Sequence, residues 1–260
     1  MSTALENTAS ERAASSGNLP ILEFRGVEKI YRNGYHAITP LDLNIEKGEI
    51  VSIVGPSGCG KTTVLRMAAG LTEVSRGELV RRASEQAYVF QDPTLLAWRS
   101  VQSNVELVAK LKGVGRLDRQ TTARAALETV GLTHFKDALP RELSGGMKMR
   151  VSLARAITSS PDIMFFDEPF AALDEFTRAK MADVLLDLWR LQRFSALFIT
   201  HSIQEAVNIA HRVVVMAARP GRIDRVFESP SPPGSAKNLR DTAALAALTQ
   251  EISDLLASEH

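Results

Sequence analysis

With a single cysteine, Cys59, among 260 residues, no intrachain disulfide can form, and a reducing compartment is the natural setting. No apolar run approaches the ~20 residues of a membrane-spanning helix, and the first residues lack the basic-then-apolar pattern of a secretory leader. Neither sign of charge prevails, Lys+Arg 31 standing against Asp+Glu 30, so bulk electrostatic binding of nucleic acid is not expected. No internal repeat is visible. What is present is a chain with 45% hydrophobic residues, suited to a soluble globular core. Any meeting with a membrane is expected through a partner or at the surface.

The organising stretch is Gly55-Pro56-Ser57-Gly58-Cys59-Gly60-Lys61-Thr62, which fits the phosphate-binding pattern G-x-x-x-x-G-K-[ST]. Glycines let backbone N–H groups curl into an anion-binding nest, Lys61 adds a mobile cation, and the Thr62 hydroxyl suits Mg²⁺. Glu49 to Val54 reads as a buried strand before it. Thr63 to Ala69 reads as a helix after it, with an anion-favouring N-terminus. Cys59 is a small filler in the loop, or a thiol whose pKa the helix N-terminus lowers.

Along the chain, Met1 to about Asn18 is polar and reads as a disordered tail. Ile21 to Val27 and Ile38 to Ile45 read as strands around the turn at Asn33-Gly34, and Glu78 to Arg82 as a further short strand. A mostly helical insertion spans about 94–142, with helically spaced Val101, Val105, Val108 and Leu111, then Ala123, Ala126, Leu127 and Val130. Helices over Met147–Ser159, Phe176–Arg193 and Ile203–Ala210 alternate with apolar strands at Ile163–Phe166, Ser195–Ile199 and Val213–Met216. Continuous apolar strands between helices predict an α/β fold whose mixed, mainly parallel sheet is covered by helices on both faces. The Pro- and Ser-rich Ser229–Lys237 reads as a linker. Leu245, Leu248, Ile252, Leu255 and Leu256 mark a terminal amphipathic helix, expected to pack on the domain. The chain thus divides into a tail (1–18), a main domain (19–228) and a linker with a final helix (229–260).

Four apolar runs end abruptly in polar groups: at the Gly55–Thr62 loop, Gln91, Asp167-Glu168 and His201. In open α/β sheets, ligands bind beyond the carboxyl ends of the strands. Parallel neighbours would therefore converge these groups on a terminal phosphate. Asp167 is expected to hold Mg²⁺ opposite Thr62. Glu168 serves as general base toward water, Gln91 touches metal and water, and His201 donates to phosphate. Leu143-Ser144-Gly145-Gly146-Met147 forms a second anion-favouring helix start. One phosphate loop does not obviously need two such sites.

Gly55–Thr62, Gln91, Leu143–Met147, Ile163–Glu168, Ala172-Leu173-Asp174 and His201, taken in order, resemble an ATP-binding-cassette ATPase over about Leu19 to Arg222. The resemblance implies a phosphate-loop NTPase core with an N-terminal antiparallel β part and an inserted helical subdomain, using ATP and Mg²⁺. It implies head-to-tail pairing with a second copy, in which Ser144, Gly145 and Gly146 serve the partner's nucleotide. Tyr31 would stack on adenine, and Thr63 follows the loop into the nucleotide site. Phe90-Gln91-Asp92-Pro93 with Leu95 to Arg99, Glu168 to Asp174, and Arg219 to Ile223 resemble nitrate/sulfonate/taurine-type importer cassettes. Lys148-Met149 departs from the Arg-Gln common there. That group implies separate permease subunits, a solute-binding protein, and a place on the cytoplasmic face of the inner membrane. Trp98 is then a docking anchor or a buried structural tryptophan. The alternatives are a non-transport cassette, against which no coiled coil, second cassette or basic surface is found, and an exporter cassette.

Overall fold

The structure is a computed structural model that describes residues 19–218, 220–234 and 241–258. The tail expected over residues 1–18, Arg219 of the Arg219–Ile223 motif, and residues 235–237 of the expected linker lie outside the described residues.

Two sheets share the work. The smaller is antiparallel, with strand order β2-β1-β4, built from β1 (Leu22–Ile30), β2 (His36–Ile45) and β4 (Arg76–Arg81). The larger has six strands in the order β5-β6-β7-β3-β8-β9: β3 (Ile50–Val54), β5 (Gln86–Val89), β6 (Ile163–Asp167), β7 (Ser195–Ile199), β8 (Arg212–Ala217) and β9 (Arg222–Glu228). β5 to β8 run parallel with β3, while β9 returns antiparallel along β8. The central strands β3 and β7 are buried at every position, which is why they read as unbroken apolar runs rather than alternating ones.

One core face packs β3 and β6 residues Ile50, Val54, Met164 and Phe166 against helices; the other packs Val51, Ile53, Ile163 and Phe165 toward the small sheet. Between the sheets lies α1 (Lys61–Ala68). On the opposite side lie α2 (Val101–Val105), α3 (Leu107–Leu111), α4 (Arg116–Thr129), α5 (Gly145–Ile157), α6 (Glu175–Gln192) and α7 (Ile203–Ile209). Ser100, Ser144, Asp174 and Ser202 each cap a helix by accepting a backbone N–H three residues on, and such caps stabilise by about 0.5–2 kcal/mol each. The final helix α8 (Thr242–Ser258) buries Leu245, Leu248 and Ile252 in the helical-side core, and Arg225 reaches Glu251 at 3.6 Å.

β9 was not expected as a strand. Its sequence RIDRVFE is mostly charged, and only Phe227 is buried, so an edge position leaves it no apolar pattern to recognise. The Pro220–Ile223 stretch nevertheless has a clear task. Gly221 accepts at its carbonyl from Thr39 N–H at 3.0 Å and donates to the Ala37 carbonyl at 3.1 Å. A Cβ at Gly221 would collide with the Cys59 carbonyl oxygen and lie 2.8 Å from that of Ala37. Backbone from three distant segments thus meets here, with Ile38 Cδ1 2.9 Å from the same point.

Replacing Gly221 by Ala should lower stability by about 1–3 kcal/mol through overpacking. Urea denaturation checks this: the midpoint should fall at constant slope, and an unmoved midpoint would show that the neighbouring backbone yields without cost.

Candidate functional site

Register brings the polar strand ends together. Val89 pairs with Phe166, Asp167 pairs with Ile199, Ile53 also pairs with Ile199, and Val54 pairs with Val215. Gln91, Asp167-Glu168, His201 and the Gly55–Thr62 loop consequently emerge along one edge of the large sheet, at its carboxyl ends.

Two contacts define the centre. Thr62 Oγ1 donates to Asp167 Oδ1 at 3.1 Å, and His201 Nδ1 meets Glu168 Oε2 at 3.1 Å. Glu168 is a non-glycine residue at φ 47°, a left-handed conformation costing about 1–3 kcal/mol. Its N–H donates to the Ile199 carbonyl at 3.0 Å. That turn ends the strand and separates the two carboxylates, sending Asp167 to Thr62 and Glu168 to His201. Tyr88, which sequence reasoning passed over as a strand residue, donates its hydroxyl to Asp167 Oδ2 at 2.9 Å. Burial and the Asp167 charge push its phenol well above the usual range. Both Asp167 oxygens are therefore held from opposite sides. The available signal for Tyr88 was slight: a polar-tipped residue on a strand two positions from Phe90.

The loop itself is closed on its own lysine. Lys61 is buried and its Nζ donates to the carbonyls of Gly55 at 2.8 Å and Pro56 at 3.0 Å. Pro56 has no N–H, so its share in the loop is this carbonyl. Gly60 caps α1 in the left-handed conformation, with no side-chain hydrogen bond to the first turn. The N–H groups of that turn are left for an anion. A Cβ at Gly60 would strike Ile38 Cδ1. Ser57 and Gly58 are exposed.

Cys59 is fully buried, and burial pushes its thiol pKa up despite the nearby Lys61 ammonium. The expectation of a thiol activated by the helix N-terminus is overturned: desolvation of a thiolate outweighs the cation, and the filler reading holds.

Of the remaining sequence candidates, only Tyr31 has a hydrogen-bond contact with the loop's helix among the described residues. Tyr31 is 43% exposed, and its hydroxyl lies 3.3 Å from Thr63 Oγ1. Gln91 is exposed, one residue beyond Phe90. Ser144 and Gly145 are exposed at the start of α5, where Ser144 Oγ accepts from Met147 N–H at 3.3 Å. A Cβ on Gly146 would lie 2.7 Å from Thr177 Cγ2. Among the described residues, no hydrogen bond joins Ser144–Gly146 to the Gly55–Thr62 loop. Trp98 is 76% exposed, which removes the buried structural alternative.

The hard oxygens of Thr62 and Asp167 fit a divalent cation of the Mg²⁺ type. Among the described residues there is no cluster of three or more His, Cys, Asp or Glu able to hold a metal. Mg²⁺ ordinarily takes one or two carboxylates and completes its shell from phosphates and water, so this sparse donor set suits it. No described helix is long and apolar enough to cross a membrane.

A family model described as "ABC transporter" matches residues 38–171. The taurine import ATP-binding protein of Roseobacter denitrificans is 41% identical over 207 residues, covering 76% of this chain and 77% of that protein. An aliphatic sulfonates import ATP-binding protein of Pseudomonas syringae is 46% identical over 183 residues, covering 70% of this chain and 75% of the other. Among solved structures, a dimeric ATP-binding cassette in a post-hydrolysis state with ADP and Pi superposes with TM-score 0.70 at 29% identity, covering 80% of this chain and 98% of that one.

The buried, poorly ionised Cys59 should resist alkylation. At pH 8 the folded chain should label with iodoacetamide far more slowly than the urea-unfolded chain. Comparable rates would contradict the burial and the upward pKa shift.

Proposed function

Because the chain belongs to the ABC transporter family and is an ATP-binding, ATP-hydrolysing cassette, we propose that it powers solute import through a separate permease on the cytoplasmic face of the membrane. The relatives named for taurine and sulfonate import support a small anionic solute of that kind. They also weigh against a non-transport or export cassette. A solute-binding protein would deliver the solute to the permease.

The observation that carries the chemistry is the paired contact at one sheet edge, Thr62 with Asp167 and Glu168 with His201, each at 3.1 Å. In this reading Lys61 exchanges its two loop carbonyls for β- and γ-phosphate oxygens, and the N–H groups of Gly58 to Thr63 surround the same phosphates. Thr62 and Asp167 would hold Mg²⁺, and Gln91 would serve as a further polar ligand or water contact there. When bound, the metal neutralises charge on the phosphates. Glu168 accepts the proton of the attacking water, and His201 holds that carboxylate in place and hydrogen-bonds the γ-phosphate. Tyr31 offers its exposed ring to adenine.

The exposed Ser144 and Gly145, which share no hydrogen bond with the chain's own loop among the described residues, fit a composite site completed by a second copy, as does the dimeric state of the structural relative. Nucleotide held between two copies stabilises only the closed pair, and that differential affinity is what can drive a permease between two states.

Glu168→Gln should bind ATP with little change yet lose about 10²–10⁴-fold in turnover, the usual worth of a general base. A steady-state ATPase assay beside a nucleotide-binding titration checks this, and wild-type turnover would remove Glu168 from its role. Lys61→Ala should lose ATP affinity in the same titration. Undiminished binding would overturn the phosphate-loop reading.

A further inference from the structure

The phosphate chemistry makes no use of Arg155, yet this side chain holds the segment that follows Gln91. From the last turn of α5 its Nη2 donates to the Pro93 carbonyl at 2.9 Å and to Thr94 Oγ1 at 3.1 Å, while Nη1 donates to the Thr94 carbonyl at 3.0 Å. A longer contact, 3.5 Å, reaches Ser152 Oγ on its own helix. Every one of these acceptors is a neutral oxygen. Burial pulls the guanidinium pKa below its usual value, so the cation is kept at a cost that an apolar side chain would avoid. What a planar fork of donors provides instead is fixed geometry between two elements.

The turn it grips is itself held in an unusual state. Thr94 has φ 47°, a left-handed conformation that a threonine keeps only when its surroundings enforce it. The far end of the segment is pinned as well. The buried Asn104 accepts from Leu96 N–H at 2.7 Å and donates to the carbonyls of Leu96, Arg99 and Ser100, each at 3.1 Å. Between these fixed points stands the exposed Trp98.

At its other end α5 carries Ser144–Gly146. Roughly 15 Å of unbroken helix separates Arg155 from Gly145, and that helix is packed into the core by the buried Met149, Val151, Leu153 and Ala154. We propose that Arg155 is a positioning residue that makes the Pro93–Arg99 segment and the Ser144 end of α5 move as one body. A permease helix seated on Trp98 would then set the orientation of the surface offered to the second copy's nucleotide. This rests on the reading of Ser144–Gly146 as the partner-facing half of the site.

The test uses the full chain carrying Glu168→Gln, which suppresses turnover. ATP-dependent pairing is followed by analytical ultracentrifugation, nucleotide affinity of the single chain by a fluorescent ATP analogue, and backbone freedom by amide hydrogen exchange. Arg155→Lys keeps the charge but cannot span both carbonyls. It should weaken pairing about tenfold, a typical coupling between sites, and leave single-chain nucleotide affinity unchanged. Exchange should rise together in residues 91–99 and in the first turn of α5. Pairing at the unsubstituted strength, a parallel fall in nucleotide affinity, or faster exchange in 91–99 alone would each overturn the proposal. Should Arg155→Lys fail to fold, Thr94→Gly removes one acceptor and the conformational restraint, and the same joint changes are expected in smaller measure. Ser144→Arg separates the two readings: if it too leaves pairing intact, the composite site is wrong, whereas if it abolishes pairing while Arg155→Lys does nothing, only the Arg155 linkage fails.

Discussion

The hydrogen bond from Thr62 to Asp167 joins the start of α1, which follows β3, to the end of β6, and these strands are not even neighbours in the sheet: β7 lies between them. It exists only because both parallel pairings are in register, Asp167 opposite Ile199 and Ile53 opposite the same residue. A slip of one residue in β6 would turn Asp167 to the other face of the sheet. The complete burial of both central strands guards against such a slip, since every alternative register would move apolar side chains out of fitted positions. The placement of the acidic pair is therefore a consequence of core packing, and the polar contacts refine a geometry that the apolar strands establish.

Within that frame the chain is folded into a self-satisfied state. Lys61 donates to the carbonyls of its own loop, Asp167 accepts from Thr62 and Tyr88, and Glu168 faces His201. The ionisable side chains at the centre thus already have internal partners, as buried polar groups require, while the N–H groups of the first turn of α1 have none from a side-chain cap. Binding would then combine an exchange of partners at Lys61, Asp167 and Glu168 with the filling of those N–H positions. The left-handed turn at Glu168 strains the backbone at the centre, and it sends two adjacent carboxylates to two different partners.

A different economy governs the exposed groups. Tyr31, Ser144 and Trp98 are exposed, and each rests on a well-held scaffold: Tyr31 against Thr63, Ser144 on a capped helix, Trp98 between the Arg155 and Asn104 anchors. Rigid presentation of exposed groups lowers the ordering cost of association.

Local pattern alone identified much of this. The Gly55–Thr62 loop, the acidic pair after four apolar residues, His201 and the helix start at Ser144 are contiguous or strand-terminal signals, and short-range chemistry specifies them. Covered parallel strands were legible for the same reason, since burial on both faces writes an unbroken apolar run. β9 was not legible, because an edge strand with one buried side chain carries no period. Tyr88, Gly221 and Arg155 were hidden too, since each acts on a partner far away in sequence: Asp167, the Cys59 backbone and the Pro93–Thr94 turn. Nor could sequence choose between an activated and a buried Cys59. That depended on whether desolvation or the neighbouring cation prevails, and only the packing around the loop decides it. Sequence determined which groups are candidates for the chemistry; the tertiary structure decided what each of them touches, because register and burial are properties of the assembled core and not of any one segment.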